Sequence, residues 1–493
     1  MTATYARNRH AVVSARTGSW PVTQASQAIR RNLKALGFTA LGLLALAAVL
    51  CVIALLVNAH DEPLAPEARA LLSAPANPYG PADNIYVALQ GFDAPPAESV
   101  IAAGEARIGH YNRSVDAPWP DPAAPQDAHR LLFKGDVSFI QPLESSVWNE
   151  APQHEQQIVT LLADNHELID RYLNLILLRG YYETARPGAL TPNPAAPTEV
   201  RRLFLAQLAL QMRARRQFER QLGLAELEGD IRLWRRVLTG HGTLLWKMQA
   251  IAFLQSDYLL LADLIADPGI DLAPGERYAE SLVPPFDAGD FDLGRAFVAE
   301  FRVQVATLRS PDPEARRGAQ GWLERAGSRI SDHFLKLNAT ENLLATETRR
   351  WMAAATDPAK FFAVTQSSVA WPIDGGSLWL LPLSYNPLGR ILTAVVTQPY
   401  RHYPPRAWDQ AALQRLVRLG YEIRQRRVAP AELAAFLRAQ PQWSTHPADG
   451  RPFLWDAGTG ELRVQTLSQH PPGWRFSIRI WQPPALAPPA APR

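Results

Sequence analysis

Two stretches of the chain begin like a helical zinc-protease motif: His154-Glu155-Gln156-Gln157-Ile158 and His166-Glu167-Leu168-Ile169-Asp170. That chemistry needs a second imidazole four residues on, so that two rings on one helix face share a metal. Position 158 is Ile, which has no ligand atom. Position 170 is Asp, which has one, but a His/Asp pair falls short of the three protein ligands of a catalytic site. Both stretches are therefore expected to be solvated helix residues. Cys51 is the only cysteine, so the chain has no intramolecular disulfide and no cysteine-based zinc or iron–sulfur centre.

Nucleophile and phosphate motifs fare no better. In Gly375-Gly376-Ser377-Leu378-Trp379 a tryptophan stands where a serine-hydrolase elbow needs its second glycine. The sequence has neither a phosphate-cradling Walker loop nor a dinucleotide fingerprint. Any two of the 47 carboxylates can meet in a fold, and spacing along the chain does not decide which. We therefore assign no catalytic, cofactor-binding or metal residue from the sequence, and expect no cofactor. Five of the 14 tryptophans (Trp408, Trp443, Trp455, Trp474 and Trp481) fall in the last 90 residues. Exposed, they would stack on sugars; filling the core of a small sheet is the expected role. Arg213, Arg215, Arg216 and Arg220 read as the charged outer face of a helix.

Residues 35–57 (ALGFTALGLLALAAVLCVIALLV) carry no charge over 23 positions. As a helix they reach about 35 Å, enough to cross a hydrocarbon core of roughly 30 Å. A cleaved signal peptide has an apolar core of about 7–15 residues and little before it, whereas 34 residues precede this one. A transmembrane anchor is the expectation. Arg30, Arg31 and Lys34 come just before it, and Asp61, Glu62 and Glu67 follow. Positive charge stays cytoplasmic, which sends residues 58–493 outward. Gly37 and Gly42 are five apart and do not form the four-spaced face of paired membrane helices.

The 493-residue chain has 50 basic and 47 acidic side chains, for a net charge of +3. Residues 1–34 hold six of the basic residues and no acidic one, leaving 44 basic against 47 acidic in the remainder. The basic excess belongs to the tail alone, so nucleic acid is not an expected partner. Arginine outnumbers lysine 45 to 5, a bias of GC-rich bacterial genomes, in which the outward side is the periplasm.

The 42 prolines, about 1.7 times the usual share of roughly 5%, punctuate the rest. They predict a tether at 58–83 without regular structure over most of its length. A small mixed segment follows at 84–145, with a strand at Asn84–Phe92, a helix at Ala97–Tyr111, an extended link at Asp116–Asp127 and a hairpin at Arg130–Ile140. Helical periodicity dominates residues 146–440. It predicts a helix at Glu155–Arg179 and another to about Leu222 with Thr198 as N-cap, burying Leu203, Phe204, Leu208 and Met212. Breaks are expected at Gly229-Asp230 and Gly240-His241-Gly242. A further helix is expected at Thr243–Ala266, a long connection at 267–290, then helices at Phe291–Leu308, Gly318–Ala355, Asp409–Arg427 and Pro430–Ala439. Trp371–Leu383 reads as strand or buried loop. A small β element occupies 441–482, with a hairpin turning at Asp456–Gly460 and a strand at Trp474–Trp481, before a Pro/Ala tail at 483–493. The expected fold is mainly α: one N-terminal transmembrane helix, then an outward-facing domain of stacked antiparallel helix hairpins. That layout is tetratricopeptide-like but lacks the tetratricopeptide signature, and it ends in a small C-terminal β-hairpin or sheet.

His446-Pro447-Ala448-Asp449-Gly450-Arg451-Pro452-Phe453-Leu454-Trp455 resembles the Asp-Pro-x-x-Gly-x-Pro-aromatic/Leu-x-aromatic hairpin of uncharacterised, single-span, membrane-anchored bacterial envelope proteins. His446 stands where that pattern has Asp, and the resemblance covers ten residues. It implies an envelope location and no activity. The functional expectation is an inner-membrane, periplasmic, non-enzymatic interaction or scaffold protein that contacts the membrane through residues 35–57 and another envelope protein through its domain. The alternatives are a periplasmic enzyme acting on peptidoglycan or another envelope polymer through a carboxylate pair, and a cell-wall-binding module.

Overall fold

The computed structural model describes residues 22–115, 130–188, 197–270, 282–283, 290, 292–310, 333–366 and 383–480, with the backbone alone for 22–30. The expected link at 116–127, the serine-centred run at 375–379, most of the 267–290 connection and all but Leu383 of the 371–383 run lie outside these residues. So do the start of the 318–355 helix, Trp481 and the C-terminal tail.

Helix α1 runs Val22–Val57. It starts inside the basic tail and continues without a break through the apolar run. Its lipid-length portion is long and apolar enough to cross a membrane, and its side chains are exposed except at Leu50, which is half-buried, and Ala54, which is buried. A second helix meets the same length and composition criteria, Leu244–Ala266, but it is buried inside the domain and carries Lys247, Asp257 and Asp263.

The segment after α1 is irregular over most of its length but contains one short α-helix and packs on the domain. Pro66 occupies the first turn of a short helix, α2 (Pro66–Leu72), where its missing N–H costs nothing. Ala68 is buried there, with Leu64, Leu71 and Leu72 packed beside Phe301, Val305, Leu344 and Ala345. Asp61 accepts the amides of Asn338 and Ala339. Asn342 receives the Ala65 amide and donates to Glu62.

Asn84–Phe92, expected as a strand, contains a helix instead, α3 (Ile85–Gln90), with every residue buried. A short apolar run buried on all sides has no periodicity to separate strand from helix. The Asn84 side chain decides it by accepting the Tyr86 amide as an N-cap. Helix α4 spans Val100–Ser114. The expected hairpin at 130–140 is a looped segment without strands, pinned by Asn165: its Oδ1 accepts the Lys134 amide and its Nδ2 donates to the Lys134 carbonyl. One turn, α5 (Val147–Glu150), precedes this residue's own helices. The same Asn165 splits the single helix predicted over 155–179 into α6 (Glu155–Asp164) and α7 (His166–Leu177).

Helices α8 (Thr198–Arg213), α9 (Gln217–Thr239) and α10 (Leu244–Ala266) follow. Thr198 is the first helical residue of α8 and its side chain caps nothing. The chain turns at 214–216, and α9 runs straight through Gly229-Asp230, which was expected to break it. Gly229 is there for packing: a Cβ would lie 2.6 Å from Ile176 Cγ2. Asp230 is fully buried, accepting from Tyr172 Oη at 2.5 Å and pairing with Arg201. Arg201 also pairs with Asp257, tying α7, α8, α9 and α10 together. Burial and the neighbouring Asp230 push the Asp257 carboxyl well up, although Arg201 opposes the shift. Arg201 thus sits between two buried carboxyls and compensates their charge.

Later helices are α11 (Gly294–Arg309), α12 (Leu337–Thr356), α13 (Pro358–Gln366), α14 (Pro387–Thr397), α15 (Tyr403–Gln425) and α16 (Leu433–Ala439). Helix α10 touches α8, α9, α11 and α15, and the chain's one antiparallel sheet among the described residues rests on it. The sheet has order β1 (Leu454–Asp456), β2 (Glu461–Arg463), β3 (Ser477–Arg479), with Trp455 opposite Leu462 and Leu462 opposite Ile478. The protein is mainly helical with an N-terminal apolar helix and a small C-terminal sheet.

Candidate functional site

One cleft is built where three segments meet. Residues 181–187 run past the α9–α10 corner, α11 crosses beside them, and the segment leading from α1 closes over the top. The cleft has a volume of about 310 Å³ and is lined by Leu72, Ala74, Tyr182, Glu183, Thr184, Ala185, His241, Thr243, Ala299, Arg302 and Val303, among others.

Its floor is held by backbone pairing. The Glu183 amide donates to the His241 carbonyl at 2.9 Å, and the His241 amide donates to the Tyr181 carbonyl at 3.3 Å. Glycines on both sides of His241 permit that approach: a Cβ at 240 would lie 2.4 Å from the Tyr181 carbonyl oxygen, and one at 242 would lie 2.7 Å from the Tyr181 ring. The His241 ring stacks on Tyr182 at 4.7 Å and 16°. Arg302 Nη1 donates to His241 Nε2 at 3.1 Å, which puts the imidazole proton on Nδ1. Burial first, and then the charges of Arg302, Lys247 and Arg295, push the His241 pKa down to about 4, so the ring is neutral.

Arg302 is also what ties the lid down. Its Nε donates to the Leu71 carbonyl at 2.8 Å and Nη2 donates to the Ser73 carbonyl. Tyr182 Oη donates to the Pro75 carbonyl at 2.6 Å. The wall of the cleft is therefore the same stretch that follows the apolar helix.

The start of α10 supplies the charge. Glu183 Oε2 accepts the Thr243 amide and Glu300 Oε1 accepts the Leu244 amide, both at 2.8 Å. Two orphan amides of the helix N-terminus are satisfied this way, in the favourable field of its dipole. Burial pushes the Glu183 carboxyl up to about 7 despite the Thr243 hydrogen bonds and Lys247; burial likewise raises Glu300. Lys247 is fully buried and donates to the Val237 and Gly240 carbonyls at 2.6 Å each, capping the end of α9. Burial brings its ammonium down to about 7, with Glu183 opposing the shift.

Glu183 is the one carboxylate lining the cleft among the described residues; Glu300 is turned to the helix amide. A polymer-cleaving pair needs two carboxyls roughly 5–9.5 Å apart facing one space, and the lining does not provide it. Its hydroxyls are those of Thr184, Thr243 and Tyr182, and the last is bonded to Pro75. The cleft can take an apolar group and give or accept one proton near neutral pH through Glu183. None of these residues stood out in the sequence. The glycine pair flanking His241 is the one available signal, and on its own it predicts only a break between helices.

The sequence-derived candidates lie elsewhere. The His154 ring packs at a tilt against Phe139, 4.5 Å between centroids. His166 Nδ1 sits 3.0 Å from the Ala163 carbonyl on the surface. Ile158 is buried and Asp170 exposed, and no metal-holding cluster occurs among the described residues. Arg213 lies over the Trp148 ring at 4.3 Å. Trp408 is buried; Trp443, Trp455 and Trp474 are half-buried against the core, Trp443 under Arg418.

A second polar cluster fixes the C-terminal sheet. Asp409 on α15 is fully buried and accepts the Leu467 amide at 2.7 Å and the Ser468 amide at 3.0 Å, together with Ser468 Oγ. His446 Nε2 and His470 Nε2 stand 3.1 and 3.0 Å from its oxygens. It carries Ser, His and Asp but is not a nucleophilic triad. One His470 nitrogen faces both Ser468 and Asp409, and the serine hydroxyl is already given to the carboxylate. Hydrogen bonds from His446, His470 and the loop outweigh burial and hold the Asp409 carboxyl well below the usual range.

Comparison with known protein families, curated proteins and solved structures finds no match for this chain.

Proposed function

We propose that this chain is a single-span inner-membrane protein of the bacterial envelope, with its basic N-terminus in the cytoplasm and a helical periplasmic domain that binds another envelope protein without catalysis. The observation that carries this reading is the construction of the cleft. Its lid is the stretch that leaves the apolar helix, fixed by Arg302 and Tyr182. A surface whose shape depends on the anchoring segment suits a protein that works at the membrane. The mainly apolar lining with one carboxyl favours binding a partner's side chain over cleaving a polymer. The half-buried tryptophans of the C-terminal sheet argue against a cell-wall-binding face.

The test is site-specific photo-crosslinking in living cells with a benzophenone amino acid at Thr184 in the cleft and at Thr459 in the β1–β2 turn. The expected result is one discrete protein adduct from position 184 and none from 459. Equal or absent adducts at both positions, with the protein in the membrane fraction, would overturn the reading.

A further inference from the structure

Helix α14 is built inside out. Its buried side is Gly389, Thr393 and Thr397, spaced four apart and turned to α12, where a Cβ on Gly389 would lie 2.0 Å from Thr340 Oγ1. The opposite side carries Leu388, Ile391, Leu392 and Val395 at three- and four-residue spacing. Of these Leu392 is 40% and Val395 51% exposed. A helix facing water on that side would present polar residues there and bury the leucine stripe.

Its position says what covers it. The apolar run of α1 ends at Val57, and the next residue, Asn58, is fully buried in the domain. Asn58 Nδ2 donates to the Ser384 carbonyl at 3.0 Å, and Asn58 Oδ1 accepts the Asn386 amide at 2.8 Å. Asn386 is the N-cap of α14, held in the left-handed region at φ 51° with its side chain on the Gly389 amide. The helix therefore starts one hydrogen bond from the point where the apolar rod ends. Beside it, His333 Nε2 lies 3.0 Å from the Leu55 carbonyl, and Leu337 at the head of α12 is 40% exposed. Arg390 is exposed at the edge of the stripe, placed as basic residues flank helices that lie in the headgroup layer.

We infer that the Leu388/Ile391/Leu392/Val395 face of α14 lies on the lipid surface around the anchor's exit, so that the domain is seated on the bilayer and not only tethered to it. The inference rests on residues 35–57 spanning the membrane, and the experiment separates the two. The full-length chain, with Cys51 replaced by alanine (Cys51→Ala), is reconstituted in vesicles of phosphatidylethanolamine and phosphatidylglycerol. A nitroxide is placed by Leu392→Cys, Val395→Cys, Leu44→Cys or Thr459→Cys, and collision with oxygen is compared with collision with a water-soluble nickel chelate.

Seating predicts an oxygen-to-nickel ratio at 392 and 395 several-fold above that at 459 and below that at 44. A water-like ratio at 392 and 395 with a lipid-like ratio at 44 overturns the seating and leaves the anchor standing. Low collision with both reagents at 392 and 395 means protein covers the face and also overturns it. A water-like ratio at 44 removes the anchor and the seating together.

Discussion

Glu183 and Asp409 are acids perturbed in opposite directions, and each makes a pH-dependent prediction. Glu183 titrates at about 7 in the fold against an ordinary 4.5. The folded chain thus binds this proton more tightly than the unfolded chain, and its contribution to stability is lost as pH rises from about 4.5 through 7. Glu183→Gln keeps an acceptor for the Thr243 amide without the titration. Chemical unfolding in detergent should show the wild type losing ground to this variant between pH 5 and 8, by up to about 3 kcal/mol; a pH-independent difference would contradict the assignment. Asp409 is the reverse: its depressed pKa contributes stability that is complete above the usual carboxylate range and fades as acid carries the pH below it. Asp409→Ala strands His446 and two loop amides, and should cost about 3–5 kcal/mol at neutral pH. Limited proteolysis should then cut first between β2 and β3. An unchanged cleavage pattern would show that the cluster does not hold the sheet.

The elements legible in the sequence were those with a long one-sided stripe. Residues 198–213 bury Leu203, Phe204, Leu208 and Met212, as their spacing predicts. The Asp456–Gly460 turn joins β1 to β2 because Gly460 supplies a positive φ there. What misled were residues whose role depends on a distant partner. Asn165 ends a helix because Lys134 needs its side chain, and nothing near it in sequence says so. Gly229 looks like a breaker but is a contact point for Ile176, so Gly229→Val should clash where α7 meets α9. We expect a loss of about 1–3 kcal/mol, read as a lowered unfolding midpoint; a neutral result would mean the two helices can separate freely. The cleft was illegible for the same reason: Glu183, His241 and Arg302 come from three segments, and their spacing of 58 and 61 residues carries no motif.

At the scale of the whole molecule, the apolar helix and the domain form one body. Asn58, Asp61 and Glu62 are all bonded into the 333–390 region, and the chain then runs on to wall the cleft. The proposed orientation of that body rests on the charge asymmetry of the sequence, six basic residues before the apolar run and acidic ones after it. The measurement that bears most directly on this claim is labelling by a membrane-impermeant maleimide in a Cys51→Ala background, with one cysteine placed by Arg16→Cys and another by Thr459→Cys. In cells whose outer membrane alone has been opened, position 459 should label at once and position 16 only after lysis. Labelling of 16 before lysis, or protection of 459 until lysis, would contradict a cytoplasmic tail and an outward domain.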